Sequence, residues 1–163
     1  MAETFTAHLD WSGSAKGGTR DAASFSRDLA LMFETLTLPM SSAPAFKGDA
    51  RRLNPEQLFV GALSACQALT YLFQAARRQV VVLAYVDDAE GTLGLVDGRM
   101  RMSRVTLRPR ITIEAGSDLD LARALVDKAH DGCFIANSVL SPVTIEPTFV
   151  TAPAMAGADV PGG

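Results

Sequence analysis

Apolar and polar residues alternate over residues 5–11, with Phe5, Ala7, Leu9 and Trp11 on one side, which predicts a first strand ended by Ser12-Gly13-Ser14. Over residues 24–36 two periods compete. Leu29, Leu31 and Phe33 alternate as in a strand, whereas Leu29, Met32, Phe33 and Leu36 would suit a helix; the flanking Gly17-Gly18 and Pro39 favour a short hairpin and therefore a strand. Residues 39–53 have the composition of a loop. A loop that long inside a compact domain is either a surface excursion or the wall of a site. The helical period then takes over, with Asn54 as N-cap and Pro55 at the first helical position, where its missing N–H costs nothing. Leu58, Ala62, Cys66, Leu69 and Phe73 recur on one face of a helix predicted over residues 54–78, so Cys66 is expected to point inward.

Residues 80–86 form a β-branched run ended by Asp87-Asp88-Ala89-Glu90-Gly91, and residues 98–113 give more strand pattern with a bend or edge at Pro109. The expected sheet is largely antiparallel and meandering. Ser117-Asp118-Leu119-Asp120 has the form of a helix cap, and Leu119, Ala122, Leu125, Val126 and Ala129 make an apolar face before Gly132 stops the helix. Cys133 follows directly, at the start of a short helix predicted over residues 134–140, and residues 142–150 alternate as a last strand. One domain over residues 1–150 with a mobile tail over 151–163 is the expected organisation, without repeats.

A chain of 163 residues can bury roughly 70% of the surface its unfolded form exposes, so it needs no staples. With 48% hydrophobic and 20% charged residues and a formal net charge of -3, nothing favours nucleic acid or an anionic membrane as partner. The N-terminal residues lack the pattern of a signal peptide and no uninterrupted apolar run approaches a bilayer span, which makes the cytoplasm the expected location. In that reducing compartment two cysteines are not expected to staple the fold. A pair that oxidises there is usually catalytic or sensing.

Cys66 alone, on the apolar face of a helix, would most simply be a small buried hydrophobe. Cys133 changes the picture, because a thiol at a helix start meets free N–H groups that favour thiolate. These two cysteines suit a peroxidatic and resolving pair better than a CxxC motif, and zinc would need more ligands. His8 and His130 have no metal-ligand spacing and read as surface or edge residues. Nucleophile-elbow and glycine-rich nucleotide motifs are missing, so neither a hydrolase triad nor a resident cofactor is expected.

Asn54-Pro55-Glu56-Gln57-Leu58 leading to Ala65-Cys66, the later Lys128-Ala129-His130-Asp131-Gly132-Cys133-Phe134-Ile135-Ala136-Asn137-Ser138-Val139, and the closing Val143-Thr144-Ile145 resemble the OsmC/Ohr family of thiol peroxidases over roughly residues 3–150. The first segment is most similar to the Ohr branch; Ala45-Phe46-Lys47-Gly48-Asp49 and residues 85–91 are more similar to the broader OsmC-like branch. The resemblance implies an α+β fold of antiparallel sheets packed around two central helices, in an intertwined homodimer with the cysteine helices at its core. It further implies that Cys66 attacks the peroxide O–O bond and becomes a sulfenic acid, which Cys133 resolves as a disulfide. An arginine oriented by Glu56 would hold the thiolate. Arg27 is the expected arginine and Arg20 the alternative, with Arg51 and Arg52 as outsiders. Electrons would come from an external dithiol, lipoyl-type or other, free or protein-bound.

Glu56 and Cys66 on one straight helix would lie about 15 Å apart along its axis, too far to share one arginine. Either the helix breaks at Gly61, the expected solution, or the glutamate acts on the thiol of a partner chain, or its role is indirect. Phe59, Leu63 and Phe134 would make the thiol's surroundings suit an organic hydroperoxide better than hydrogen peroxide. The rival is a non-enzymatic relative in which the cysteines sense redox state and the dimer binds an apolar ligand or a protein. The helix predicted over residues 54–78 is apolar over more of its circumference than one small sheet would cover, which is what motivates the homodimer.

Overall fold

A computed structural model describes residues 3–12, 19, 22–23 and 25–153. Arg20, the Gly17-Gly18 pair and residues 154–163 of the expected tail lie outside the described residues. The chain divides into two compact units, Met1–Phe59 and Val60–Gly163.

In the first unit, β1 (His8–Asp10), β2 (Leu29–Met32) and β3 (Thr37–Met40) form an antiparallel sheet in that order. β2 is therefore a strand, as expected, and its hairpin to β3 is closed by the Phe33 N–H on the Leu36 carbonyl at 2.8 Å. β3 falls partly where a loop is expected, because Pro39 ordinarily argues against a strand. Here it lies in an edge strand, the one place in a sheet where a missing donor is harmless. The rest of the expected loop is stitched down rather than loose. The buried Ser41 hydroxyl donates to Asp28 Oδ1 at 3.2 Å and accepts the Asp49 N–H at 3.1 Å, and the Ser41 N–H reaches the Leu53 carbonyl at 2.9 Å. Gly48 passes so close to Ser42 that a Cβ would stand 1.6 Å from its carbonyl oxygen, which restricts this position to glycine.

Asn54 opens α1 (Pro55–Arg77) by reciprocal pairing: its Oδ1 accepts the Gln57 N–H at 2.8 Å and Gln57 Oε1 accepts the Asn54 N–H at 3.0 Å. The helix passes Gly61 without interruption, which corrects the expected break. A glycine lowers helical preference by only about 1 kcal/mol, too little to break a helix of 23 residues. With a mean hydropathy of 1.4 over its most apolar window, α1 also meets the length and hydropathy requirement for crossing a bilayer. Gln57, Ser64, Gln67 and Thr70 interrupt its apolar run without adding charge, which is why no continuous apolar stretch marks it in the sequence.

The second unit carries two three-stranded sheets, built from β4 (Val82–Asp87), β5 (Glu90–Val96), β6 (Arg99–Leu107), β7 (Pro109–Glu114), β8 (Val143–Ile145) and β9 (Thr148–Ala152). Their orders are β4-β7-β9 and β5-β6-β8. The β5–β6 hairpin turns on Asp97-Gly98, both with positive φ, 50° and 75°, as a two-residue turn between twisted strands requires. Two pairings depart from the expected antiparallel meander: β8 runs parallel to β6 and β9 parallel to β7. The stretch read as one last strand is thus two, one for each sheet, and β9 continues to Ala152.

Besides the passage from β7 to β8 by way of residues 115–142, the chain crosses directly between these sheets three times, at Asp88-Ala89, at Arg108 and at Glu146-Pro147. These three direct crossings meet on Arg108. Its Nε donates to Glu146 Oε2 at 3.1 Å, its Nη1 to Glu90 Oε2 at 3.3 Å, and its backbone N–H to Asp87 Oδ1 at 2.6 Å. The other Asp87 oxygen accepts the Ser64 hydroxyl at 2.5 Å and so fixes the corner to α1.

Between β7 and β8, α2 (Leu119–Gly132) is capped by Asp118, whose Oδ1 accepts the Leu121 N–H at 2.9 Å. Its expected face is the buried one: Ala122, Leu125, Val126 and Ala129 join Tyr71, Ala75, Val80, Ile111 and Ile113 in the core, with Ile145 and Phe149 packed against them. Leu125→Ala should therefore lower unfolding free energy by about 2–5 kcal/mol in urea titration, and Asp118→Ala by about 1 kcal/mol through the lost cap. A loss under about 1 kcal/mol for Leu125→Ala would remove α2 from the core.

Candidate functional site

The stripe of α1 that the chain buries is Leu63, Gln67, Tyr71 and Ala75, one step round the helix from the face the periodicity selects. Leu69 is 70% exposed and Phe73 59%, with the Arg77 guanidinium 5.7 Å above the Phe73 ring. α1 is apolar nearly all round, so its spacing fits two faces equally. Cys66 lies at the border between them, half-buried.

Two polar side chains on the buried stripe set how α1 stands against α2. Gln67 Nε2 donates to the Val126 carbonyl at 3.2 Å and Tyr71 OH to the Ala122 carbonyl at 3.1 Å, so residues one turn apart on α1 meet carbonyls one turn apart on α2. Among the described residues, Gln67 Oε1 is buried without a partner. At the far end of α2, Gly132 lies against the Thr70 methyl, where an added Cβ would stand at 3.4 Å.

This register brings the free thiols of Cys66 and Cys133 close enough to influence each other's ionisation. Burial pushes the Cys66 thiol up, but the neighbouring Cys133 thiol and the Ile135 and Phe134 backbone N–H groups outweigh it and leave its pKa below the ordinary value; the Thr70 hydroxyl donates to the Cys66 carbonyl at 2.8 Å. Cys133, 1% exposed, is pushed up to about 11, first by burial and then by the Cys66 sulfur, against the opposing N–H of Ala136 at 3.4 Å. Amides of the turn after α2 thus lower both thiols, but at Cys133 burial and the Cys66 sulfur outweigh them, so ionisation is favoured at Cys66 and not, as the sequence suggests, at Cys133. The turn itself is a short 3-10 segment, Ala136–Ser138.

The other expected site residues are placed differently. Glu56 stays about 15 Å from Cys66 along the continuous helix, with Oε2 buried and unpartnered among the described residues. Arg27 is held by its own segment: Nη1 donates to the Phe25 carbonyl at 2.5 Å, Nη2 to Ala22 at 2.7 Å, and the guanidinium lies 3.8 Å over the Phe25 ring. Arg51 forks onto Asp49 at 3.0 and 2.9 Å, and Arg52 lies between Asp28 and Asp49 at 3.8 and 3.7 Å. Phe59 is half-buried, Leu63 is fully buried in the core stripe, and Phe134 is 82% exposed. No cluster of metal-ligating side chains occurs among the described residues. A cleft of about 270 Å³ in the first unit, lined by Asp10, Ser26, Asp28, Thr37 and Arg52 among others, holds neither cysteine.

Sequence reasoning misses Thr70, although a threonine one turn after a cysteine is visible as a spacing. It also misses the amides of Phe134 and Ile135, which no side chain announces.

Residues 48–148 match the family of OsmC-like proteins, more than half of the chain, and the protein belongs to that family. Among solved structures it is similar to an OsmC-like protein of unknown function from Vibrio cholerae, at 29% identity and a TM-score of 0.82, covering 91% of this chain and 100% of the other. It shares its fold with an organic hydroperoxide resistance protein OsmC from Legionella pneumophila, at 20% identity, a TM-score of 0.62, and coverage of 91% and 98%. An organic hydroperoxide resistance protein from Elizabethkingia anophelis with bound thiocyanate has the same fold, at 18% identity, a TM-score of 0.67, and coverage of 93% and 100%. No curated protein matches the chain.

Thiolate grows at each cysteine as pH rises through its pKa, below the ordinary value for Cys66 and about 11 for Cys133. Between those points Cys66 is ionised while Cys133 keeps its proton. Iodoacetamide at pH 8 should accordingly label Cys66 first, read by peptide mass spectrometry, and equal labelling of the folded protein would contradict the assignment.

Proposed function

We propose that the protein is a cysteine-based peroxidase that reduces organic hydroperoxides, drawing electrons from an external dithiol such as a lipoyl group. The observation that carries this reading is the asymmetry of the adjacent thiols, Cys66 lowered and Cys133 raised. The Cys66 thiolate attacks the outer oxygen of ROOH, an S–O bond forms as the O–O bond breaks, and the alkoxide leaves with a proton as ROH. The resulting sulfenic acid is attacked by Cys133, which gives up its proton to the departing hydroxide; water leaves and the Cys66–Cys133 disulfide remains. A dithiol then restores both thiols and is itself oxidised to a disulfide. No resident cofactor or metal enters this cycle.

Cys66→Ser should abolish consumption of cumene hydroperoxide in the presence of dithiol. Cys133→Ser should support one turnover and leave a sulfenic acid that mass spectrometry can trap. Rapid loss of two mass units at substoichiometric peroxide, reversed by dithiol, is the expected signature of the parent protein; inert thiols would favour a non-enzymatic binding or sensing role.

The same reading includes a homodimer. Leu69 and Phe73 on α1 leave an apolar strip uncovered by the chain itself, of the kind that protein partners cover. With α1 unbroken, the role of Glu56 in orienting an arginine falls to the thiol of the partner chain. Analytical ultracentrifugation should give twice the chain mass, and a monomer at micromolar concentration would count against both points.

A further inference from the structure

Two cysteines can close a disulfide only where their backbones stand at the right spacing, with Cα atoms about 4.4–6.8 Å apart. The hydrogen bonds of Gln67 and Tyr71 fix α2 at the Val126 and Ala122 carbonyls. Val126 precedes Cys133 by about two turns, or roughly 10 Å along the axis, so these bonds leave the end of α2 free to lean toward α1 or away from it. Thr70 stands at that end. Among the described residues its methyl is the one group within 4 Å of the point where a Cβ on Gly132 would stand, chain neighbours and the helix's own backbone aside, and the distance is 3.4 Å. The methyl is also aimed. Thr70 Oγ1 donates to the Cys66 carbonyl at 2.8 Å, and a β-branched side chain whose hydroxyl is tied to the preceding turn keeps little freedom at χ1. One branch of Thr70 thus holds the segment of Cys66 while the other faces the residue bonded to Cys133. The Cys133 N–H, on the His130 carbonyl at 3.1 Å, ties that cysteine to the same last turn of α2.

We propose that Thr70 is a positioning residue for the Cys66–Cys133 pair: its hydroxyl is anchored on the Cys66 carbonyl, and its methyl sets the spacing of the last turn of α2 from α1. Gly132 is the matching half of the contact, because a side chain longer than alanine's would have to displace the methyl. Such a role rests on the reading of the two cysteines as a disulfide-forming pair. Its test uses no peroxide, so a protein inactive toward hydroperoxides could still pass it.

The experiment equilibrates the full chain with glutathione buffers of graded oxidised fraction, or with dithiothreitol buffers if glutathione leaves the pair oxidised, and reads the products by acid quenching, alkylation and mass spectrometry. In each exchange the pair loses two electrons and two protons and an S–S bond forms between Cys66 and Cys133, while one glutathione disulfide becomes two thiols, or one oxidised dithiothreitol its dithiol. Thr70→Ser keeps the hydroxyl and removes the methyl. It should lower the equilibrium constant for disulfide formation by about 3- to 10-fold, since the last turn of α2 is no longer held at one spacing. Thr70→Val keeps a branched side chain of the same shape, which a helix holds in one rotamer without help from a hydroxyl, and should stay within about twofold of the parent. Gly132→Leu, entering the contact from the other side, should lower the constant too. A substitution that only weakens the fold destabilises the oxidised and reduced forms alike and leaves the constant unmoved, which urea unfolding of both forms checks. An unchanged constant for Thr70→Ser or Gly132→Leu, a fall for Thr70→Val as large as that for Thr70→Ser, or parent thiols that never pair would overturn the proposal. A parent that pairs but consumes no hydroperoxide would overturn the proposed function alone.

Discussion

What makes Cys66 more than a core thiol is where α1 stands along α2, and that depends on two donors reading two backbone carbonyls. Apolar faces attract without specifying register, because sliding one helix past another by a turn exchanges one set of methyl contacts for another. The Gln67 amide and the Tyr71 hydroxyl remove that freedom, since a carbonyl can be met only at its own position. Each bond adds only about 1 kcal/mol net. The unpartnered Gln67 Oε1, whose burial costs about as much, shows that net stability is not what this position supplies. Its contribution is placement, and the two sulfurs meet as a result.

The difference between the thiols then arises from backbone more than from charged side chains. Both cysteines are surrounded by the same few residues, and backbone amides of the turn after α2 lower each thiol, Ile135 and Phe134 at Cys66 and Ala136 and Ile135 at Cys133. Burial raises both. At Cys66 the donors overcome it; at Cys133 they do not, and the neighbouring sulfur adds to the rise. A thiol that keeps its proton beside one that gives it up is ready to supply that proton once the first has reacted.

Much of this was legible in the sequence where a local signal has one meaning. Asn54-Pro55 and Asp118 mark helix starts because their side chains satisfy orphan N–H groups, and both caps are present. The paired cysteines and the motifs around them point to the family that residues 48–148 match. Signals with two meanings failed. α1 is apolar all round, so periodicity chose Leu69 and Phe73 over Leu63 and Tyr71, and tertiary packing chose otherwise. The break expected at Gly61 follows from the distance a shared Glu56–Cys66 site would need, and one glycine does not supply it in α1. Parallel pairing of β8 and β9 leaves no local trace, since a strand's alternation is the same whichever direction its neighbour runs.

The parallel strands also bear on how the protein is made. Each of the second unit's sheets takes its third strand from the chain that follows α2, and Ile145 and Phe149 on those strands pack against the core. On the ribosome, β4 to β7 and both helices emerge while the two sheets still lack an edge and the core lacks those side chains. The nascent chain thus carries both sheets with an open edge until the residues after α2 follow, in the interval when an unpaired sheet edge is most open to wrong partners.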